Sequence, residues 1–253
     1  MVRPEQGSDY SRLFSSGYYA KSDEKEILAQ RLTEYLKNET FDQALDVGPG
    51  DGRITRLIAE RSKGLTAVEV EEDYRRSFRQ NFPKAKLFET PIQQTNFPSQ
   101  SFDLILASHV FYYLPITEWH SQLTRCYEWL RPEGRLICIL NTPECEWWEF
   151  YRILSERLKV VPGFAYTDAR AFFQATCGGV SECIEYDSKL VWQGDRNGLI
   201  EFLLAIFLAL PLEMINEHNS RIVNDFIDEH TASDGSFSVG ERAVIGIWKK
   251  AKK

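Results

Sequence analysis

The sequence is short of the features that mark metal centres, disulfide frameworks and membrane spans. Its five cysteines form no Cys-x-x-Cys pair and no Cys/His spacing typical of zinc sites. The longest apolar run, LIEFLLAIFLAL at 199–210, contains Glu201 and is too short to cross a bilayer. The first residues, MVRPEQGSDYSRLF, lack the apolar core of a signal peptide. We therefore expect no metal site, no membrane association and a cytoplasmic protein.

Basic residues are in short supply as well. The 253 residues include 30 Lys and Arg against 37 Asp and Glu, which gives a formal net charge of -7. Nucleic-acid grooves depend on clustered Lys and Arg, and the one basic cluster here is KKAKK at 249–253. This charge balance predicts a small-molecule partner and no nucleic acid. It leaves the oligomeric state open.

What the sequence does contain is a regular alternation of strand-like and helix-like segments. Short apolar runs typical of buried strands are followed by charged segments whose apolar residues recur at helical spacing. The strand-like runs are QALDVG (43–48), LTAVEV (65–70), AKLFET (85–90), the start of FDLILASHVFYYL (102–114), LICIL (136–140) and RAVIGIWKK (242–250). This alternation predicts an α/β protein with a mostly parallel sheet covered by helices on both faces.

The remainder is less regular. The segment VSECIEYDSKLVWQ is predicted to form one long strand or two shorter ones, and helices are predicted at 199–210 and 213–229. We find no internal repeat and no clear linker, which predicts a single domain over 1–253.

Three glycines stand in the turn between the first predicted strand and the helix that follows. The turn is GPGDG at 48–52, and Asp46 precedes it. Glycine lets a ligand approach the backbone, and α/β folds bind nucleotide-like ligands at such a turn. The dinucleotide fingerprint requires glycine at position 53, where Arg53 stands, and the phosphate-binding G-x-x-x-x-G-K-[ST] motif is absent. A nicotinamide-dependent oxidoreductase is therefore disfavoured.

About residues 41–143 resemble the class I S-adenosylmethionine-dependent methyltransferases. The resemblance rests on three features: the glycine turn, Glu69 at the end of the second predicted strand, and FDLILASHVFYYL as the fourth strand. The resemblance implies a Rossmann-like sheet whose last strand is antiparallel, with an added helical lid and insertions. It also implies S-adenosyl-L-methionine as cofactor, with the methionine part at the turn and the ribose hydroxyls on Glu69. The cofactor-binding residues that it implies are Asp46, Gly48, Pro49, Gly50, Gly52, Glu69, Val70, Thr90, Pro91, Ile92 and Ser108.

One segment departs from the family's pattern. Many members have an acidic residue after the third strand that binds the adenine amine, whereas this chain has FETPIQQTNF there. Thr90 or Gln93 could donate or accept a hydrogen bond, and Ile92 could pack on the adenine face. Within the single domain, the resemblance implies a helical lid at 1–40, a cofactor-binding core at 41–143, and substrate-side helices with closing strands at 144–253.

The loop after the fourth strand bears on the methyl acceptor. It reads SHVFYYL and lacks the Asn- or Asp-Pro-Pro-aromatic motif of many enzymes that act on nucleobase or amide nitrogens. Together with YSRLFSSGYYAKS, LNTPECEWWEFYRIL and NGLIEFLLAIF, it resembles the histamine N-methyltransferase group. That resemblance implies an aromatic pocket, in which His109 and Tyr113 act on the acceptor. The substrate-binding residues that it implies are Tyr18, Tyr19, His109, Tyr112, Tyr113, Trp147, Trp148 and Tyr151.

The first interpretation is therefore a methyltransferase that acts on an amine or imidazole nitrogen of a small molecule. An O-methyltransferase, and an enzyme that methylates a peptide or natural-product intermediate, are alternatives within the same class. A methyltransferase-like binding protein is the non-enzymatic alternative. Each of these residues also has a purely structural interpretation. Glu69 could be an acid on a solvated turn, His109 a hydrogen-bonded residue at a strand end, and Trp147–Trp148 a packing pair.

Overall fold

The computed structural model describes residues 15–160, 167–208, 210 and 216–252. Its strands are β1 (Phe41–Val47), β2 (Ser62–Val68), β3 (Lys86–Phe88), β4 (Phe102–Ser108), β5 (Leu130–Asn141), β6 (Glu182–Trp192) and β7 (Phe237–Lys249). Its α-helices are α1 (Glu24–Tyr35), α2 (Arg53–Ala59), α3 (Glu72–Asn81), α4 (Trp119–Trp129), α5 (Glu146–Leu158), α6 (Ala169–Ala175), α7 (Arg196–Phe202) and α8 (Glu217–His230). The prediction for residues 1–14 lies outside the described part of the chain.

The strands form one seven-stranded sheet in the order β3-β2-β1-β4-β5-β7-β6. The neighbouring strands from β3 to β5 pair in parallel, and β7 pairs antiparallel with both β5 and β6. Helices α2, α3 and α4 form the connections from β1 to β2, β2 to β3 and β4 to β5, as is usual between parallel strands. The fully described segment 89–101 joins β3 to β4 without a helix. The predicted Rossmann-like sheet with an antiparallel last strand is confirmed. The order reverses between β1 and β4, which is where open α/β sheets bind ligands at the carboxyl ends of the strands.

Both faces of the sheet are buried, as the apolar runs indicated. Along β4, Leu104 and Leu106 pack on the side of α1 and α2, while Ile105 and Ala107 pack on the side of α4 and α6. Successive side chains of a strand point to opposite faces, so a continuous apolar run is what a doubly covered strand needs.

The first helix belongs to the core of the sheet. Leu28 and Leu32 of α1, and Leu36 directly after it, are fully buried and pack with residues of β5 and β7. Within the segment predicted as a lid at 1–40, the described residues before α1 and the start of α1 itself lie at the carboxyl edge of the sheet, where Lys25 lines a cavity. There the π-helical turn Ser15–Tyr19 brings two tyrosines to the edge.

A third apolar cluster stands beyond the carboxyl edge of the parallel strands. The end of β6 and the start of β7 extend past β5, and α5, α7 and α8 pack against this extension. The segment predicted as one or two strands is one strand, β6. The helix predicted at 199–210 instead begins at Arg196, because Asp195 accepts a hydrogen bond from Gly198 N, and it continues as a π-helical turn, Leu203–Phe207.

Within the described ranges, every helix is too short or too polar to cross a bilayer.

Candidate active site

A single cavity of about 1280 Å³ opens at the carboxyl edge of the sheet, above β1, β2 and β4. Sites for one small molecule commonly measure about 300–1,000 Å³. This cavity exceeds that range, and it joins two chemically different ends. The glycine turn and the loop after β2 line one end, and aromatic side chains with the buried acid Glu241 line the other. It is therefore large enough for two ligands side by side.

The glycine turn has a backbone that only glycine adopts without strain. Gly48, Gly50 and Gly52 have φ angles of 71°, 55° and 80°. A Cβ atom added at Gly48 would lie 2.7 Å from Cγ2 of Val110, closer than van der Waals contact allows. Gly48, Pro49 and Gly50 line the cavity, whereas Gly52 lies outside the cavity wall and begins α2. The bare turn thus leaves main chain on the cavity surface.

Glu69 stands beside this turn, directly after β2. Its Oε2 accepts a hydrogen bond from Gly50 N at 3.2 Å, and its Oε1 accepts from the N–H groups of Val70 and Glu71 at 2.8 and 2.9 Å. The side chain is buried and lines the cavity. Backbone donors therefore hold the carboxylate in one orientation next to the glycines.

A second acid lies under the turn. Asp46 is buried near the end of β1, and its Oδ2 accepts a hydrogen bond from Thr55 Oγ1 of α2 at 2.7 Å. Burial, with the negative charge of Glu69 adding to it, raises the pKa of Asp46 to about 7. This hydrogen bond ties the start of α2 to the strand and fixes the turn between them.

The loop after β3 closes the same end of the cavity. Pro91 and Ile92 line it, and Gln93 and Gln94 line it as well. Thr90 does not: its side chain is exposed, and its hydroxyl lies 2.9 Å from the hydroxyl of Thr95. The predicted roles of Pro91 and Ile92 are compatible with their positions, whereas Thr90 is engaged within its own loop.

Two further predicted residues lie at this end of the cavity. Val70 lines its mouth and is 54% exposed. Ser108 lines it at the end of β4, and in the described part of the chain its hydroxyl has no hydrogen-bond partner.

Aromatic rings form the walls at the other end. The residues that line it are Tyr18, Tyr112, Trp147 and Trp148. Tyr19 instead lies beside the glycine turn, where its hydroxyl is 3.2 Å from the position of a Cβ atom added at Gly50, and Tyr113 lines the cavity near Tyr74. The rings contact one another edge to face, as between Tyr18 and Trp147 with centroids 5.6 Å apart and between Tyr112 and Trp148 at 5.8 Å. Tyr151 lies behind this wall, buried against Trp148. Tyr151 was predicted to contact the substrate, whereas in the structure it packs behind Trp148 and supports that ring.

His109 lies between the two ends and has an unusual backbone. Its φ is 53°, which is uncommon for a residue other than glycine and frequent at functional sites. Its Nε2 lies 3.0 Å from Glu24 Oε1, and its Nδ1 lies 3.3 Å from the hydroxyl of Tyr112. His109 therefore lines the cavity and is also held by a hydrogen-bond network, so both interpretations of this residue have support in its position.

The acids of that network were missed from the sequence. Glu24 is fully buried at the start of α1, where its Oε1 also accepts a hydrogen bond from the Tyr186 hydroxyl at 2.7 Å. Burial alone would raise the pKa of Glu24, but the charges of Lys25 and His109 hold it well below its usual range. Glu24 is thus a buried anion paired with cations.

Glu241 of β7 was missed as well. It lines the aromatic end, and its Oε2 accepts hydrogen bonds from the Tyr18 hydroxyl at 2.9 Å and from Asn141 Nδ2 at 3.3 Å. Burial, followed by the charge of Glu24, raises the pKa of Glu241 to about 8. A signal was available, because Phe237, Val239 and Ala243 alternate on the buried face of β7 and the same period places Glu241 there.

Comparison with known proteins agrees with this geometry. Residues 45–138 match the family described as "Methyltransferase domain". The chain is 33% identical over 58 residues to ribosomal RNA small subunit methyltransferase A of Fusobacterium nucleatum subsp. nucleatum, covering 23% of this chain and 22% of that protein. It is 30% identical over 105 residues to trans-aconitate 2-methyltransferase of Rhizobium rhizogenes, covering 40% of this chain and 41% of that protein.

Solved structures share the fold over most of the chain. The N-methyltransferase NodS of Bradyrhizobium japonicum, solved in complex with S-adenosyl-L-homocysteine, matches with a TM-score of 0.53 at 16% identity, covering 90% of this chain and 88% of NodS. The chain therefore shares the fold of this methyltransferase, and its residues 45–138 match a methyltransferase domain family. It spans between 22% and 51% of the length of the curated relatives it matches, whose names refer to acceptors as different as ribosomal RNA and trans-aconitate. The resemblance to the histamine N-methyltransferase group stays a prediction.

Proposed function

We propose that this chain transfers the methyl group of S-adenosylmethionine to an amine or imidazole nitrogen of a small molecule. The observation that carries the proposal is the single cavity that joins the glycine turn and Glu69 to a pocket of aromatic rings and the buried acid Glu241. Methyl transfer requires the donor and acceptor in one site, close together and in line. A cavity with two such ends meets that requirement.

The residues at the cofactor end fit the cofactor. The glycine turn presents main chain on the cavity surface, because a side chain at Gly48 would collide with Val110, and the fixed carboxylate of Glu69 beside it can accept hydrogen bonds from the ribose hydroxyls. Pro91 and Ile92 supply an apolar surface for the adenine. When bound, S-adenosylmethionine supplies an electrophilic methyl group on a positively charged sulfur.

The acceptor end favours a nitrogen compound. Aromatic faces such as those of Tyr112 and Trp148 attract cations, both the sulfonium and a protonated amine. The carboxyl of Glu241 beside those rings can accept a hydrogen bond from an amine N–H group and can ionise to pair with an ammonium ion.

Positioning supplies much of the catalysis in this account. The aromatic walls exclude water while the sulfonium charge is neutralised, and His109 and Tyr113 line the junction between the two ends, where they can orient the acceptor. No nucleophilic side chain is required, because the acceptor nitrogen itself attacks the methyl carbon.

The test is mass spectrometry of the purified protein incubated with S-adenosylmethionine and a pool of small amines, imidazoles, phenols and carboxylic acids. We expect S-adenosylhomocysteine together with a pool member that gains one methyl group on nitrogen. A methylated phenol or acid would replace the proposed acceptor class with the O-methyl alternative. Failure of the protein to bind the cofactor would favour the non-enzymatic alternative, a methyltransferase-like binding protein.

A further inference from the structure

Two buried oxygen atoms in the aromatic end of the cavity lack hydrogen-bond donors. They are Oε1 of Glu241 and Oδ1 of Asn141, and neither has a partner among the described residues. Both residues line the cavity, and their exposed fractions are only 3% and 6%. Buried polar atoms in native proteins are nearly always paired, so such atoms at a cavity wall indicate the place of a ligand's polar groups.

The remaining atoms of the two side chains are fixed by the protein. The Tyr18 hydroxyl and Asn141 Nδ2 both donate to Oε2 of Glu241, which leaves Oε1 for another donor. When Glu241 is ionised, as it is opposite a bound ammonium ion, Asn141 must present its Nδ2 to Oε2, because the amide oxygen there would face a carboxylate oxygen without a proton between them. The main chain of Asn141 is also held, since its N–H donates to the Tyr112 hydroxyl.

The chemistry of the pair selects the ligand. A carboxylate oxygen and an amide oxygen both accept hydrogen bonds, so together they match a group with at least two N–H donors. Hydroxyl acceptors of a methyl group carry only one such hydrogen. A primary amine, which enters as an ammonium ion with three N–H groups, satisfies both oxygens, and the hydrogen bonded to the carboxylate is the one that it can lose.

We propose that Glu241 Oε1 and Asn141 Oδ1 bind the amino group of the methyl acceptor, and that Glu241 takes the proton that the ammonium form must lose. The inference rests on the proposed function. In the step, an ammonium N–H proton passes to the Glu241 carboxylate and leaves a neutral amine with a free electron pair. That pair forms the new N–C bond, while the methyl carbon–sulfur bond breaks and its electrons remain on sulfur.

The charges around Glu241 suit this exchange. Glu241 interacts electrostatically with titratable groups on several elements, namely Tyr18, Glu24, Lys25, Tyr112, Cys145 and Tyr186. Burial, and then the charge of Glu24, places the pKa of Glu241 near 8, while Lys25 acts in the opposite direction. Near neutral pH, the free amine is therefore an ammonium ion and the free Glu241 carboxyl is protonated. In the complex, the ammonium ion pairs with the Glu241 carboxylate, so binding releases one proton to solvent.

The experiment compares benzylamine with benzyl alcohol, which has the same ring and no ammonium group. Each is titrated calorimetrically, near neutral pH and at millimolar concentration, into protein saturated with S-adenosylhomocysteine. Two buffers of different ionisation enthalpy report the protons released. We expect benzylamine to bind at least about tenfold more tightly than the alcohol and to release close to one proton.

Two variants assign the effect to this pair. Glu241→Gln keeps the shape and removes the charge, so it should abolish the preference for the amine and the proton release. Asn141→Ala should weaken benzylamine binding with the proton release retained. Glu182→Gln is the matched control, because Glu182 is an exposed acid on the neighbouring strand β6 and its replacement should change neither quantity.

Three outcomes would overturn the inference. They are equal binding of benzylamine and the alcohol by the parent protein, no binding of benzylamine, and an unchanged amine preference in Glu241→Gln. The affinity for S-adenosylhomocysteine is measured first on every variant and shows that each is folded. It also distinguishes failure of this inference from failure of the proposed function. If that ligand binds and the amine preference is absent, only this inference fails. If the parent protein does not bind it, the proposed function fails as well.

Discussion

The two ends of the cavity are built in different ways. The cofactor end consists of main chain and of side chains held by main chain, drawn from the turn after β1, the residues after β2 and the loop after β3. The acceptor end consists of side chains that meet across the fold, as in the hydrogen bond between Tyr18 and Glu241, which are 223 positions apart. The first end is therefore built largely from local backbone geometry, whereas the second depends on contacts between residues far apart in the sequence.

The largest effect is expected from removing the carboxylate of Glu69. Glu69→Ala should weaken S-adenosylhomocysteine binding about 100-fold or more, because each hydrogen bond to a charged group contributes roughly 1.5–3 kcal/mol. Calorimetric titration measures this directly. Glu60→Ala is the control, because Glu60 is an exposed acid that follows α2. An unchanged affinity in Glu69→Ala would remove the ribose assignment.

The bare turn can be tested separately from the carboxylate. Gly48→Ala forces an alanine to a φ of 71° and places its Cβ 2.7 Å from Val110. We expect roughly tenfold weaker cofactor binding and a lower melting temperature, since the left-handed conformation alone costs roughly 1–2 kcal/mol. Gly235→Ala is a matched control with a φ of 80° and no atom within 4 Å of the added Cβ. Equal affinity losses in both variants would contradict a specific role for the turn.

A substitution at His109 should affect the acceptor end alone. Asparagine tolerates the positive φ at this position, so His109→Asn removes the imidazole with little backbone strain. We expect kcat/KM for the acceptor to fall roughly 10–100-fold and the cofactor affinity to change by less than about twofold. His218→Asn, on the exposed surface of α8, should leave both unchanged. A loss of cofactor affinity in His109→Asn would show that the two ends are not separable.

The smallest effect concerns stability and pH. The pKa of Glu241 in the folded chain, about 8, lies above its ordinary value of 4.5, so the folded protein holds this proton more tightly than the unfolded chain does. Its contribution to stability is present below the ordinary pKa and is lost as the pH rises through 8. Between those two pKa values, the free energy of unfolding therefore falls as the pH rises.

Replacing that acid should therefore remove part of the pH dependence. The melting temperature of Glu241→Gln should rise relative to the parent protein between about pH 5 and pH 8, in samples without ligand. Thermal denaturation followed by circular dichroism measures the difference. Glu182→Gln should show no such trend, and a constant offset in Glu241→Gln would contradict the raised pKa.

The contrast between the ends also explains what the sequence could predict. The glycine turn and Glu69 are recognisable because backbone geometry and a strand-end acid are encoded by neighbouring residues. The alternation of strands and helices predicted the sheet for a similar reason. Thr90 was predicted to contact the cofactor, but its hydroxyl lies against that of Thr95. The orientation of a loop side chain depends on its local hydrogen bonds, which the sequence pattern does not indicate.

The acceptor end was predicted only in part. Its aromatic residues were named from the resemblance to a known family, whereas Glu24, Asn141 and Glu241 were not named at all. Their association depends on how α1, β5 and β7 pack, and neither spacing nor composition encodes that packing. For Glu241, the two-residue period of β7 would have indicated a buried acid, although not its partners.

The central claim is that the turn at Gly48 and the carboxylate of Glu69 form a binding site for the cofactor. Calorimetric titration of S-adenosylhomocysteine into the parent protein and into Glu69→Ala tests it most directly. The account predicts one bound molecule per chain at micromolar concentrations in the parent protein and a loss of about 100-fold or more in the variant. Absence of binding in the parent protein, or equal binding in both, would contradict it.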